Sequence, residues 1–451
     1  MVRGPRRALA ALLLGAALGC AAPAPKTPPN IVVVLVDTLR ADRLSLYGYE
    51  RETSPRLDRW AAERAVVFEN AWANAGCTFP SVNSLLTGRW PQLFTRRFAT
   101  DGMTIPPDLP SLAERLGELG YSSAAVSASP IVRATPSNVN LRGGFGRGFA
   151  RFDERCRGES AWCINRGAFE ELERLPEPFF LYLHYYDPHA PYRPPRGEPR
   201  RWAPASLEGV RKWARRGVTQ PIQRRLYDGV KRFRFGEPEV RHLNDLYDDE
   251  ILSFDARFGA LVDRLDALGI GERTVIAFVS DHGEELYDHE QWSHCRDHAW
   301  ETILATPFVL AVPGIAPGLR RTPVSNLDLA PTLLELAGAP AVAELDGESL
   351  VPLLGRADPS GSDRRLFAAQ GIVRAARDRA LQVRLDLASD EASFERLDPG
   401  ARPRATAPGP AGATLLAAIH DWLREVEVAD RQAIVDDAQR LESELKALGY
   451  L

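Results

Sequence analysis

The stretch "NIVVVLVD", from Asn30 to Asp37, is apolar without interruption from Ile31 to Val36 and then stops at an acid. A strand with one face in water alternates apolar and polar residues, so an unbroken run must be covered on both faces. "PFFLYLHYYD" and "TVIAFVSDHGEE" repeat the pattern, and "GYSSAAVSAS" reads as a further buried strand with polar residues at its end. Between them, apolar residues fall at helical spacing around Leu57 to Val67. They do so again through "YDDEILSFDARFGALVDRLDALGI", which stops at glycine. "TPFVLAVPG" and "DLAPTLLELAG" continue the alternation. Strand, helix and strand with short connections predict an α/β fold built on an open, mostly parallel sheet flanked by helices. Functional residues of such a sheet gather at the carboxyl ends of the strands. Asp37, Asp187 and Asp281 all lie there.

The chain ends differ from this pattern. "MVRGPRRALAALLLGAALGC" has three early arginines and an apolar run from Leu9 to Leu18, too short to span a bilayer. It reads as an export signal over residues 1–20. "ALGC" resembles a bacterial lipobox, with Ala17 where leucine is commonest, so cleavage before Cys20 and acylation of its thiol are expected. The expectation is an exported bacterial lipoprotein, periplasm-facing and held by lipid at the outer membrane. Residues 21–29 are a Pro- and Ala-rich spacer. After about Asp346, "RALQVRLDL" alternates like a strand, and "ATLLAAIHDWLREV" and "DRQAIVDDAQRLESELKAL" read as amphipathic helices. Residues 346–451 are therefore taken as a smaller α+β region.

The formal net charge is only −4, but residues 193–241 carry fourteen Lys/Arg against five Asp/Glu. This basic insertion is either a solvated surface or a cap that attracts an anionic substrate or lipid headgroups. With Cys20 assigned to lipid, Cys77, Cys156, Cys163 and Cys295 remain, an even number that permits disulfides in an oxidising compartment. Cys156 and Cys163 are near neighbours and the favoured pair.

Asp37, Asp281 and His282 are hard and borderline ligands suited to a divalent cation, and Thr78 could add a hydroxyl oxygen. An acid after a buried strand is ordinarily a helix cap, but caps do not require histidine. Mixed nitrogen and oxygen ligation favours Zn²⁺ or Mn²⁺, with Ca²⁺ an alternative. A metal-bound hydroxyl becomes a nucleophile near neutral pH.

The stretches "NIVVVLVDTLRADRLSLYGY", "TFPSVNSLLTGR", "PFFLYLHYYDPHAPYRPP", "YDDEILSFDARFGALVDRL", "VSDHGEEL" and "DLAPTLLELAGAP" together resemble the sulfatases of the alkaline phosphatase superfamily, in the family's order. The resemblance implies an alkaline-phosphatase-like catalytic region over residues 30–345. It also bears on the nucleophile. Sulfatases that use formylglycine place the precursor Cys or Ser two residues before a proline. Two residues before Pro80 is Thr78, and Cys77 is out of register. Threonine cannot become formylglycine, so none is expected, and Thr78 is the implied nucleophile, as in relatives that hydrolyse or transfer phosphoryl groups. The motif's arginine is Val82 here, Thr38 stands where sulfatases often have a second Asp, and Asp281-His282 is the phosphatase-like variant of Asp-Asn.

By the same resemblance, Asp37, Thr78, Asp281 and His282 form the metal site, and His189 and His294 contact the transferred group or a second metal. Asp187, His289 and His298 are secondary candidates, and His184 is read as structural. If Thr78 and His294 share a site, Cys77 and Cys295 beside them would come within bridging distance. The expected activity is metal-dependent hydrolysis or transfer of a phosphoester, or of a sulfate ester, on an anionic lipid, polysaccharide or small molecule. No nucleic-acid partner is expected. The rivals are a sulfuric ester hydrolase that works without formylglycine and a catalytically silent anion-binding lipoprotein.

Overall fold

The computed structural model describes residues 28–156, 161–190, 192–195, 200–203, 236–355, 364–398, 403–426 and 431–447. Cys20, the export segment, most of the spacer and the centre of the basic insertion lie outside the described residues. Among the described residues, no helix is long and apolar enough to cross a membrane.

Eight strands form the main sheet: β1 (Asn30–Val36), β2 (Ala65–Phe68), β3 (Ser122–Ser127), β4 (Arg151–Asp153), β5 (Phe179–Tyr185), β6 (Thr274–Ser280), β7 (Phe308–Ala311) and β8 (Gly318–Arg320). Their order is β8-β2-β7-β6-β1-β5-β3-β4. Every pairing is parallel except those of β7, which runs antiparallel to both β2 and β6. This is the mostly parallel α/β sheet expected of the sequence.

The unbroken apolar run of β1 has a direct physical cause. Val32, Val34 and Val36 enter one core with α1 (Pro55–Arg64), α5 (Ala161–Leu172) and α6 (Glu237–Ala267). Ile31, Val33 and Leu35 enter a second core on the opposite face. There α2 (Thr78–Thr87), α3 (Pro91–Asp101), α4 (Leu112–Glu118) and α7 (Leu329–Leu336) pack. Burying a side chain of this size removes it from water at a gain of about 1.5–3 kcal/mol, and no β1 side chain forgoes that gain.

α6 also holds the loops that lead to the site. Its Asp255 accepts the backbone N–H groups of Arg56 and Leu57, both at 2.8 Å, and so satisfies the start of α1 from another element. Asp249 accepts N–H groups from Arg201, Trp202 and Ala203 where the chain leaves the sheet for the basic insertion.

A second, antiparallel sheet follows: β9 (Leu366–Gln370), β10 (Val373–Arg377), β11 (Leu381–Asp386), β12 (Ala392–Arg396) and β13 (Arg404–Ala405). Two helices come after it, α8 (Pro410–Val426) and α9 (Arg431–Ala447). Leu415 and Ile419 of α8 pack on Val383 and Leu385 of β11. The indole of Trp422 contacts Trp90 and Phe367, which ties this region to the start of α3.

Candidate metal centre and active site

Parallel register brings two acids together. Val36 of β1 pairs with Ser280 of β6, so the next residues, Asp37 and Asp281, leave the sheet side by side. The ligand atoms of Asp37, Asp281 and His282 all lie within 4.8 Å of one another, and all three residues are buried. Thr78 is the first residue of α2, and its Oγ1 is 3.2 Å from His282 Nε2. Cys77, extended before the first turn, contributes no side-chain cap, so the positive end of α2 opens beside the cluster.

The loops that carry these residues are tightly held. Thr38 sits at φ 56°, a conformation that costs a β-branched residue energy. The Tyr247 hydroxyl of α6 locks it, donating to Thr38 O at 2.8 Å and accepting the Arg40 N–H at 3.1 Å. Ser81 Oγ donates to Asp281 O at 2.6 Å, and Asn326 Nδ2 donates to Ser280 O at 2.8 Å. Gly283 follows because a Cβ there would lie 2.1 Å from Thr302 O.

The polar atoms left over test whether the residues fit a cation. Asp281 Oδ1 accepts N–H groups from Thr38 and His282, while its Oδ2 has no hydrogen-bond partner. Asp37 is arranged likewise: Oδ2 accepts His184 Nε2–H at 3.2 Å, and Oδ1 has no partner. Two unpartnered, buried carboxylate oxygens are unfavourable unless a cation or proton meets them. Burial pushes the Asp37 carboxyl up to about 7, a shift opposed by His189 and aided by Glu284. Burial, then repulsion from Asp37, pushes Asp281 up to about 6. His282 Nδ1 lies 2.9 Å from Gly283 O and donates there, which turns the Nε2 lone pair toward the cluster. A carbonyl partner of this kind is what orients a metal-ligating imidazole. The donor set fits a divalent cation.

Two more histidines close over this floor. The His294 ring lies 4.6 Å from that of His282 and 5.0 Å from that of His189, which stacks on Tyr186. A short hairpin pairs Glu285 with Ser293 and so sets Glu284 opposite His294. His294 Nδ1 donates to Glu284 Oε1 at 3.0 Å. Burial pushes His294 down to about 3 and Glu284 up to about 7, so the imidazole is neutral. Cys77 and Cys295 are joined by a disulfide, as are Cys156 and Cys163.

The sequence pattern of the sulfatase family matches residues 29–339. The chain belongs to the sulfatase family. It is 27% identical over 391 residues to arylsulfatase K of Gallus gallus, covering 78% of this chain and 71% of that one. It is 26% identical over 367 residues to an ulvan-active sulfatase of Formosa agariphila, covering 75% of this chain and 68% of the relative. In fold it is similar to a 2-O GAG sulfatase, at TM-score 0.69 and 21% identity, covering 89% of this chain and 93% of that one. It is also similar to a phosphonate monoester hydrolase from Silicibacter pomeroyi, at TM-score 0.65 and 20% identity, covering 88% and 95%. As a member of the sulfatase family the chain is an ester hydrolase.

Within this sulfatase-family site, Asp37, Thr78, Asp281, His282, His189 and His294 come together. Three candidates stand apart. Asp187, buried after the end of β5, does not join the cluster of ligand atoms formed by Asp37, Asp281 and His282, and burial pushes its carboxyl up to about 6. His289 bonds Glu285 and stacks on one side of Trp300 at 4.0 Å, and His298 stacks on Trp300 at the same distance. Two residues were missed. Glu284 has no separate motif, and only the hairpin between it and His294, Glu285–Leu286 with Trp292–Ser293, brings the two together. His184 lies within an apolar strand, and its support of Asp37 was hidden by the look of a core residue.

Proposed function

We propose that the chain transfers a phosphoryl group, or a sulfuryl group, from an anionic ester to water or an acceptor hydroxyl by way of Thr78. The observation that carries this reading is the Thr78 hydroxyl, the first group of α2, 3.2 Å from an imidazole of the acidic cluster. Asp37, Thr78, Asp281 and His282 would hold a divalent cation, Zn²⁺ or Mn²⁺ by their chemistry. When bound, the ion neutralises charge on the transferred group and acidifies the Thr78 hydroxyl.

The chain's own residues account for the rest. Thr78 Oγ1 attacks the phosphorus or sulfur in line, forming a threonine ester as the bond to the leaving oxygen breaks. His189 and His294 stand over the reacting group; neutral His294 takes the Thr78 proton as Oγ1 attacks, and the imidazolium so formed gives it to the leaving alkoxide. His189 Nδ1 donates to Ala190 O at 2.5 Å, which leaves Nε2 for the substrate. In the second step neutral His294 takes the proton of the incoming water or hydroxyl, whose oxygen attacks the ester, and returns that proton to the departing Thr78 oxygen. Glu284 fixes the tautomer that makes this proton transfer work.

Threonine favours the phosphoryl reading, because its ester must be attacked from outside rather than collapse to an aldehyde. The sulfate relatives keep the second reading open. Both are tested by nitrophenol release from a bis-aryl phosphodiester, an aryl phosphate and an aryl sulfate, with Thr78→Ala alongside. The variant should lose kcat by about 10³-fold or more while circular dichroism is unchanged. Undiminished turnover would remove threonine from the mechanism, and a preference for sulfate would reverse the choice of ester.

A further inference from the structure

The bond between Cys77 and Cys295 joins two points 218 residues apart, and each cysteine is next to a residue placed at the reaction centre. Cys77 precedes Thr78 at the start of α2, and Cys295 follows His294. The link is supported on both sides. The Cys295 N–H donates to Gly76 O at 3.0 Å, and the Gly76 N–H donates to Gln370 Oε1 at 2.7 Å. Past the bond, Asp297 Oδ1 accepts the Ile372 N–H at 3.1 Å. The turn between β9 and β10 thus underpins both strands of the link.

The segment that carries His294 has little other regular structure. Its hairpin has only two residues in each strand, Glu285–Leu286 and Trp292–Ser293. Ser293 and Cys295 lie at φ 79° and 61°, backbone states that L-residues adopt only where their surroundings impose them. Apart from Thr78, which follows Cys77, the metal-ligand candidates are held by other elements. Asp37 and Asp281 leave the central strands, and Thr78 and His282 are fixed to α2 and to the Gly283 turn.

We propose that the Cys77–Cys295 disulfide is a positioning cross-link that sets His294 against Thr78, so that full turnover requires the oxidised pair; this rests on the reading of Thr78 and His294 given above. Opening the bond takes two electrons and two protons and leaves thiols on Cys77 and Cys295. With a water-soluble phosphine as reductant, water supplies the protons and its oxygen ends on phosphorus as the phosphine oxide. His294 then keeps its pair with Glu284 but loses its covalent tie to the nucleophile's helix. The metal ligands stay where the sheet holds them.

The test uses the full, metal-loaded, oxidised chain carrying Cys156→Ala and Cys163→Ala, so that one disulfide remains. Turnover of the aryl phosphodiester is measured before phosphine treatment, after it, and after reoxidation, with mass mapping of thiols and metal analysis at each stage. A phosphine is chosen because dithiols bind metal ions. Opening should lower kcat on the order of 10- to 100-fold, the effect of displacing a reacting group by about an ångström. KM and metal content should hold, and reoxidation should restore the rate. Unchanged kcat with the bond shown open would overturn the proposal, as would loss of the metal together with the bond. If the oxidised chain turns over no ester, the proposed function fails separately. Orthovanadate binding by calorimetry then decides the cross-link: weaker binding after opening supports it, and equal binding overturns it.

Discussion

Glu284 shows how one buried side chain can decide what its neighbour does. Its Oε1 accepts from His294 Nδ1, and the Tyr192 hydroxyl faces the same buried carboxyl. Glu284→Gln keeps the shape but offers His294 a neutral amide. We expect kcat to fall on the order of 10- to 100-fold with little change in KM, the usual cost of losing the partner that orients an imidazole. An equal rise in KM would mean that the pair binds substrate rather than times the proton. The acids of the floor set a pH response whose sign can be worked out. Asp37 and Asp281 stand at about 7 and about 6 in the fold, against 3.8 unperturbed. Folded values above the unfolded ones mean that the metal-free fold holds protons the unfolded chain has released. The contribution of these two groups to stability is full below about 4, falls as pH rises from there through about 6 and about 7, and is lost beyond about 7. Metal binding needs both carboxylates ionised, so affinity rises over the same interval. Between pH 5 and pH 8 the stripped protein should lose more melting temperature, or gain less, than a stripped Asp37→Asn, Asp281→Asn variant. Parallel pH profiles for the two proteins would contradict this assignment. The acids and histidines of this site were legible in the sequence because strand ends bearing D, DH and DPH are costly to explain by capping. His184 and Glu284 were not, because a lone histidine in an apolar run and a second acid after "DHG" each have an ordinary alternative.

At the scale of elements, α6 does more than cover the sheet. Its Tyr247 hydroxyl fastens the Thr38 turn through two hydrogen bonds to the backbone beside Asp37. Tyr247→Phe should destabilise the protein by about 1–3 kcal/mol, the cost of leaving buried polar groups unpaired, and should weaken metal binding by freeing that turn. Denaturant melts with and without metal would separate the two effects. A variant with unchanged metal affinity would show that Thr38 holds its conformation unaided. The helical periodicity of α6 was plain in "YDDEILSFDARFGALVDRL", but the spacing says nothing of what its acids bind. Asp249 and Asp255 each serve the backbone of a different loop. β1, β5 and β6 were readable because apolar residues on both faces admit few other folds. The reversed direction of β7 was not, since four buried residues look the same whichever way they run.

Across the whole molecule, the second sheet reaches the reaction centre through one turn. Gln370 supports the chain just before Cys77, and Ile372 supports the chain just after Cys295. The alternation of "RALQVRLDL" marked a strand there without showing that the sheet would touch the site. Where the enzyme works is an inference from "ALGC" alone. We propose that Cys20 carries lipid and that the spacer holds the catalytic region off a membrane. Cys20→Ala should then move the protein from the membrane fraction to the soluble fraction of a bacterial expression host without changing kcat on a soluble ester. Equal partition of the two forms would dismiss the anchor.

β1 feeds both cores with alternate residues and ends at Asp37. A strand with no side in water has no position at which a substitution goes unfelt, and its neighbour β6 leads into Asp281 and His282 while α2 brings Thr78. The reacting end of the protein is thus fastened to its least adjustable strand. Adaptation to a different ester has only the loops above that floor in which to act, so related enzymes can diverge widely in substrate while the chemistry beneath stays put.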